Sequence, residues 1–208
     1  MLIKFEGIYL AINKMESNKI TTTLESGENL NIIGPSGSGK SSYVNALIGL
    51  PSMLKGNIII DDINLKKFHS SQWSMMRRKI IACVFQNLEL FQDLSVADNI
   101  NIVTGLYRNT DQEMIDFIID SLGLTTQKNT KVKVLSLGEK QRLAICRTLV
   151  RPFSLLILDE PFSHLDKDNI QKSTQLINQI SNDNQAGIIL TSHSESQDFA
   201  FDKTIVLQ

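Results

Sequence analysis

The segment Gly34-Pro35-Ser36-Gly37-Ser38-Gly39-Lys40-Ser41 constrains this chain more than any other. It fits the pattern G-x-x-x-x-G-K-[ST], which chance produces in on the order of one percent of chains this long. A short apolar run, Asn29 to Ile33, leads into it, and a run with a helical apolar side, Ser41 to Gly49, leads out. Val44, Leu47 and Ile48 share that side and Gly49 stops it. A strand, a glycine-rich loop and a helix in this order turn backbone amides inward and make a nest for phosphate oxygens. The helix adds the positive end of its dipole. Lys40 is placed to reach β- and γ-phosphates, and the Ser41 hydroxyl to ligate Mg2+. The loop alone implies a nucleoside triphosphatase or a kinase.

A second acidic site lies far along the chain. Leu155 to Leu158 is an unbroken apolar run that ends in Asp159-Glu160. Gly187 to Thr191 is another such run, and both have the look of strands buried on both faces of a parallel sheet. Asp166 to Asn182 lies between them with Ile170, Leu176, Ile177 and Ile180 at helical spacing, so the three segments form a βαβ unit. Open α/β sheets bind ligands beyond the carboxyl ends of their strands. Asp159 is therefore placed to hold Mg2+ through water, and Glu160, on the other side of the strand, to polarise an attacking water. Adjacent carboxylates repel, and a divalent cation offsets that.

Elsewhere, Leu2 to Ile12 and Lys19 to Glu25 are predicted strands, joined to the loop strand by a turn at Glu25-Ser26-Gly27-Glu28. Asn57 to Ile60 and Lys79 to Phe85 are two more. From Ser95 to Leu149 the pattern is helical. Thr110-Asp111-Gln112-Glu113 has the form of a capping box, followed by the stripe Ile115, Ile118, Ile119 and Leu122 and the stop Gly123. A last strand is expected over Lys203 to Leu207, with no regulatory domain after it.

The balance of 21 basic against 22 acidic residues leaves a net charge of −1, without the positive field of a general nucleic-acid binder. Lys66-Lys67 and Arg77-Arg78-Lys79 are local basic groups, expected to form a solvated face. The cysteines, Cys83 and Cys146, stand in apolar runs and are expected to be buried free thiols. No Cys/His cluster has zinc spacing. No apolar run approaches the ~18 residues that cross a bilayer. Lys4 and Glu6 interrupt any leader-like start, so a cytoplasmic location is expected, with membrane association left to a partner.

Taken together, the motifs resemble those of the ABC ATPase family over nearly the whole chain. The phosphate loop is similar to Walker A, and Val84-Phe85-Gln86 to the Q-loop. Leu90 to Ile100 matches the segment that follows the Q-loop in transporter subunits. Leu135-Ser136-Leu137-Gly138-Glu139-Lys140-Gln141-Arg142 resembles the family signature. Leu155 to Glu160 resembles Walker B with its catalytic glutamate, Ser163-His164-Leu165-Asp166 the D-loop, and Thr191-Ser192-His193 the H-loop.

The resemblance implies an α/β P-loop NTPase fold with a mostly parallel core sheet, an N-terminal antiparallel β subdomain and a helical signature subdomain. It implies one domain over 1–208, with a core from 1–86 and 150–208 and a helical part from 87–149. ATP and Mg2+ are the implied cofactors. Gly34 to Ser42 would hold the phosphates, Ser42 standing where threonine is commoner. Ser41, Gln86 and Asp159 would hold the metal. Gln86 would sense the γ-phosphate, His193 would hydrogen-bond it, and Glu160 would act on water. Ser136 and Gly138 would contact the γ-phosphate of ATP held by a second copy, and Asp166 would align the interface. Tyr9 is the candidate for stacking on adenine.

The implied function is the ATP-hydrolysing subunit that powers a membrane ABC transporter through ATP-dependent dimerisation. The dimer would be a homodimer or an ABC heterodimer, docked on an integral membrane permease at the inner face of the cell membrane. A groove at Leu88, Leu90, Phe91 and Leu94 would receive the permease. The compact size and the Gly34-Pro35-Ser36-Gly37 form are similar to lipoprotein-release and macrolide-export ATPases. A soluble ABC ATPase with a regulatory, assembly or repair role is the alternative. Two residues depart from the family signature: Leu137 replaces the usual glycine, where a side chain would crowd the phosphate, and Glu139 replaces the usual glutamine. Glu139 brings negative charge toward a polyanion unless it turns away or pairs with Lys140 or Arg142.

Overall fold

The computed structural model describes residues 1–12, 15–16, 19–107, 111–194 and 199–207, without the side chains of 11, 12, 15 and 16. Its centre is an all-parallel sheet in the order β10-β4-β9-β8-β7, formed by Lys203–Val206, Leu30–Ile33, Gly187–Ser192, Leu155–Asp159 and Ile81–Val84. Strand β8 is buried at every position, because both faces of the sheet are covered. Successive side chains on a strand point to opposite faces. Leu155 and Ile157 accordingly join one apolar cluster, and Leu156 and Leu158 the other.

The first cluster packs Ile32, Ile81, Ile189 and Ile205 against α1 (Lys40–Ile48) and a second sheet. That sheet is antiparallel, with β1 (Ile3–Ile12) paired to β2 (Met15–Glu16), β3 (Ile20–Leu24) and β5 (Leu54–Ile60), and with β6 (Ile63–Asn64) beyond β5. Strand β1 is irregular between Phe5 and Tyr9, where its register with both neighbours shifts. Gly56 passes so close there that a Cβ would lie 2.4 Å from the Gly7 carbonyl oxygen. Beyond this irregularity, the Leu10 side chain lies against Gly39 of the phosphate loop.

The second cluster holds α3 (Val96–Thr104), α4 (Gln112–Ser121), α5 (Leu137–Leu149) and α6 (Lys167–Asp183) against Ala82, Val84, Ile188 and Leu190. Segments β8, α6 and β9 form the expected βαβ unit, with β8 and β9 adjacent and parallel.

Several expectations need correction. Helix α4 is capped by Asp111, whose carboxylate accepts from the amides of Glu113 and Met114 at 2.9 and 3.2 Å. Thr110, the expected cap, lies outside the described residues. The stripe behind it is as expected, with Ile115, Ile118 and Ile119 buried and Gly123 left-handed at φ 62°. Helix α2 (Ser70–Lys79) was not anticipated, because Met76 is its one buried residue. Its basic end is not merely a solvated face. Arg77 donates to the Ile48 carbonyl at 2.9 Å and Arg78 to the Leu106 carbonyl at 3.0 Å, which ties α2 to its neighbours. Cys146 is buried and Cys83 half-buried, both free, and burial raises the Cys146 thiol to about 12.

Candidate functional site

The phosphate loop joins β4 to α1. Gly39 serves as the N-cap of α1 with φ 93°, a left-handed conformation that favours glycine. A Cβ at Gly39 would also lie 2.1 Å from a Leu10 methyl, which would have to move aside. Among the described residues no side chain caps α1, and no acidic residue stands in its first turn. Apart from the Ser42 amide, which donates to the Gly39 carbonyl at 2.8 Å, its leading amides are left for an anion, in the positive field of the helix end. Lys40 is 4% exposed, and its Nζ donates to the carbonyls of Gly34 at 2.7 Å and Pro35 at 3.1 Å. These bonds hold the ammonium at the mouth of the loop.

The acidic residues come from the end of β8. Parallel register sets Asp159 opposite Thr191 of β9, and the Thr191 hydroxyl donates to Asp159 Oδ1 at 2.6 Å. The same hydroxyl accepts from the Glu160 amide at 3.2 Å. Burial pushes the Asp159 carboxyl above the usual carboxylate range, and the Thr191 and Ser41 hydroxyls oppose that shift. Glu160 has φ 48°, which costs a residue with a Cβ about 1–2 kcal/mol.

The Glu160 carboxylate is the meeting point. Oε1 lies 3.1 Å from Lys40 Nζ and 3.3 Å from His193 Nε2, and Oε2 accepts from Gln86 Nε2 at 2.9 Å. Side chains from α1, from beyond β7 and from beyond β9 therefore converge on one acid. Beside them opens a cleft of about 620 Å3, lined by Ser41, Asn45, Gln86 and Asp159 among others. A buried carboxylate with a hydroxyl and a carboxamide around it is a hard-oxygen donor set, and a divalent cation would offset the buried charge. The residues present therefore fit Mg2+.

The remaining expected residues have local roles of their own. Ser136 caps α5 and forms a capping box with Glu139. The Ser136 amide and hydroxyl donate to Glu139 Oε2 at 2.8 and 2.7 Å, and Gln127 donates to Oε1 at 3.2 Å. Glu139 thus turns back on its own helix start rather than pairing with Lys140. The Ser136 bonds hold its carboxyl below the usual range, with a smaller contribution from Arg142. Leu137 is 49% exposed. Gly138 passes under the D-loop, where a Cβ would lie 3.1 Å from the His164 carbonyl oxygen. Asp166 caps α6 through the Asn169 amide at 2.8 Å. Tyr9 is half-buried in β1, with the Lys19 ammonium 5.1 Å from its ring centre.

The expected groove is only partly open. Leu88 is 9% exposed and belongs to the core, and Leu90 packs against it. Phe91 and Leu94 are 49% and 36% exposed. Arg147 braces the segment, donating to the Leu88 and Glu89 carbonyls at 3.2 and 2.6 Å beneath the Phe91 ring.

Sequence reasoning assigned no role to Thr191 or Gln141. Gln141 is 1% exposed on α5 and bonds to Glu160, Ser163 and His164. A glutamine on the inward side of a helix is a signal of such a role, but its partners are visible only in the fold.

Residues 17–163 match the sequence model of the ABC transporter family. The chain is similar to the lipoprotein-releasing system ATP-binding protein LolD of Buchnera aphidicola subsp. Schizaphis graminum. The two are 34% identical over 179 residues, 85% of this chain and 78% of that one. It is 30% identical over 208 residues to LolD of Bacteroides fragilis, covering 98% of this chain and 96% of that one. It spans about half the length of the methionine import ATP-binding proteins it matches. A bacterial ABC transporter cassette solved as a dimer superposes with a TM-score of 0.78 at 25% identity, over 92% of this chain and 88% of that one.

Proposed function

We propose, from the premise that this chain belongs to the ABC transporter family, that it is the subunit in which ATP is bound and hydrolysed to drive a membrane transporter. The observation that carries this reading is the convergence of Lys40, Gln86 and His193 on the Glu160 carboxylate. Triphosphate entering the loop takes the amides at the start of α1 and draws Lys40 onto its β- and γ-oxygens. Glu160, relieved of Lys40, then accepts a proton from water aimed at the γ-phosphorus. His193 and Gln86, already at that carboxylate, stand where the γ-phosphate arrives.

Ser41, Asp159 and Gln86 would hold Mg2+, which when bound supplies positive charge to the phosphate oxygens. Tyr9 is proposed to stack on adenine. The core of 1–86 and 150–208 carries these groups, and the part from 87–149 carries the signature. Ser136 and Gly138 complete the site of a second subunit, and Asp166 lies at that interface. The γ-phosphate makes contacts in the closed dimer that ADP lacks, so hydrolysis releases it.

Among the described residues no helix is long and apolar enough to cross a membrane. A separate permease subunit is proposed to hold the chain at the cytoplasmic face and to dock beside Phe91 and Leu94. The LolD relatives favour transport of the lipoprotein-release type. Sedimentation of Glu160→Gln with saturating Mg-ATP tests the sandwich. A dimer that dissociates when ATP is removed is expected, and a monomer under saturating ATP would contradict it.

A further inference from the structure

We infer that Gln141 is a positioning residue for hydrolysis, tethering the backbone of Glu160 to helix α5 so that the carboxylate stays aimed at the γ-phosphate. The inference rests on the proposed role of Glu160.

The Glu160 backbone is held on both sides of its Cα. Its amide donates to the Thr191 carbonyl and hydroxyl at 3.3 and 3.2 Å. Its carbonyl accepts from Gln141 Nε2 at 3.3 Å. The same Nε2 donates to Ser163 Oγ at 3.3 Å, and Gln141 Oε1 accepts from the His164 amide at 2.9 Å. One carboxamide thus joins three points of the turn after β8 to one helix, and at 1% exposure it is shielded from water. A buried amide with donor and acceptor both used specifies one geometry.

Glu160 needs such a tether, because its φ of 48° is outside the regions ordinary residues prefer. Pro161 follows, and a proline biases the residue before it toward extended backbone. Local preference therefore pulls Glu160 away from the conformation it holds. Relaxing it would redirect the Cα–Cβ bond and take the carboxylate from Lys40, Gln86 and His193. Gln141 also lies about one and a half turns into α5 from the Ser136 cap. The surface proposed to meet a second subunit's nucleotide and the corner that holds this subunit's own acid are therefore parts of one helix-linked unit.

The test is steady-state and single-turnover hydrolysis by the full chain with Mg-ATP. Gln141→Met keeps length and bulk but loses both bonding arms. We expect kcat to fall about tenfold to a hundredfold, as displacement of a reacting group by about 1 Å does, with KM for ATP within about threefold of wild type. The ATP-induced rise in melting temperature should persist. In a Glu160→Gln background the same substitution should slow the residual single turnover less than about twofold, because it acts through the group already removed.

Gln141→Glu keeps an acceptor for the His164 amide but cannot donate to Glu160, and it should lose kcat as well. It decides the matter if the methionine variant does not fold. An unchanged kcat in a folded variant, a loss confined to KM, or an undiminished loss in the Glu160→Gln background would overturn the inference. Wild-type protein inert to ATP would instead overturn the reading of Glu160 itself.

Discussion

Asp159 is a carboxylate held almost out of water, 4% exposed, and burial raises its carboxyl above the usual range. The folded chain holds this proton more tightly than the unfolded chain. The group therefore lowers stability as pH rises from its unfolded value through its raised folded value. Asp159→Asn removes the buried charge and keeps an oxygen for the Thr191 hydroxyl. The nucleotide-free variant should melt at or above the wild-type temperature at pH 7 while losing Mg2+-dependent turnover. Calorimetry beside phosphate release checks both, and a large fall in melting temperature would show that the charge is compensated without metal. At this scale the strand–loop–helix turn at Gly34 to Ser41 was legible in the sequence, because the spacing of its glycines along the chain sets the turn. The partnership of Thr191 with Asp159 was not, because it exists only through the register of two strands far apart in sequence.

Helix α5 shows what an element does with a departure from the family pattern. Glu139 stands where glutamine is usual, and its carboxylate accepts from the Ser136 amide and hydroxyl as the third residue of a capping box. Glutamine makes the same box. Glu139→Gln should leave stability within about 0.5 kcal/mol at pH 7, while Glu139→Ala should cost about 0.3–1.5 kcal/mol. Because the Ser136 bonds hold this carboxyl below its usual range, the glutamate's contribution is present above its unfolded value. It is lost as pH falls through the lowered folded value. Denaturant midpoints at pH 7 and at a pH below the usual glutamate range measure both effects. Leu137, exposed beside the cap, should be replaceable by glycine without loss of ATPase activity. A large fall in turnover would mean that the interface has adapted to leucine. Elements with strong periodicity, such as α4 and α6, could be read in advance. Helix α2 could not, since it buries little and is held by Arg77 and Arg78 reaching neighbouring carbonyls.

Across the whole molecule, the central sheet brings the ends of β4, β8 and β9 and the residue beyond β7 to one edge. The two unbroken apolar runs announced this layout, since a strand buried on both faces belongs inside a parallel sheet. The groove read at Leu88 to Leu94 was legible only in part, because composition does not tell an apolar residue that packs inward, such as Leu88, from one left outside, such as Phe91. The convergence on Glu160 makes one demand of the assembled protein: this acid should serve hydrolysis and not the retention of ATP. The most direct measurement is phosphate release at saturating Mg-ATP by wild type and Glu160→Gln, with bound ATP determined in the same samples. The account predicts that the variant keeps ATP and releases phosphate at least about a hundredfold more slowly. Release within a few-fold of the wild-type rate, with ATP bound, would contradict it.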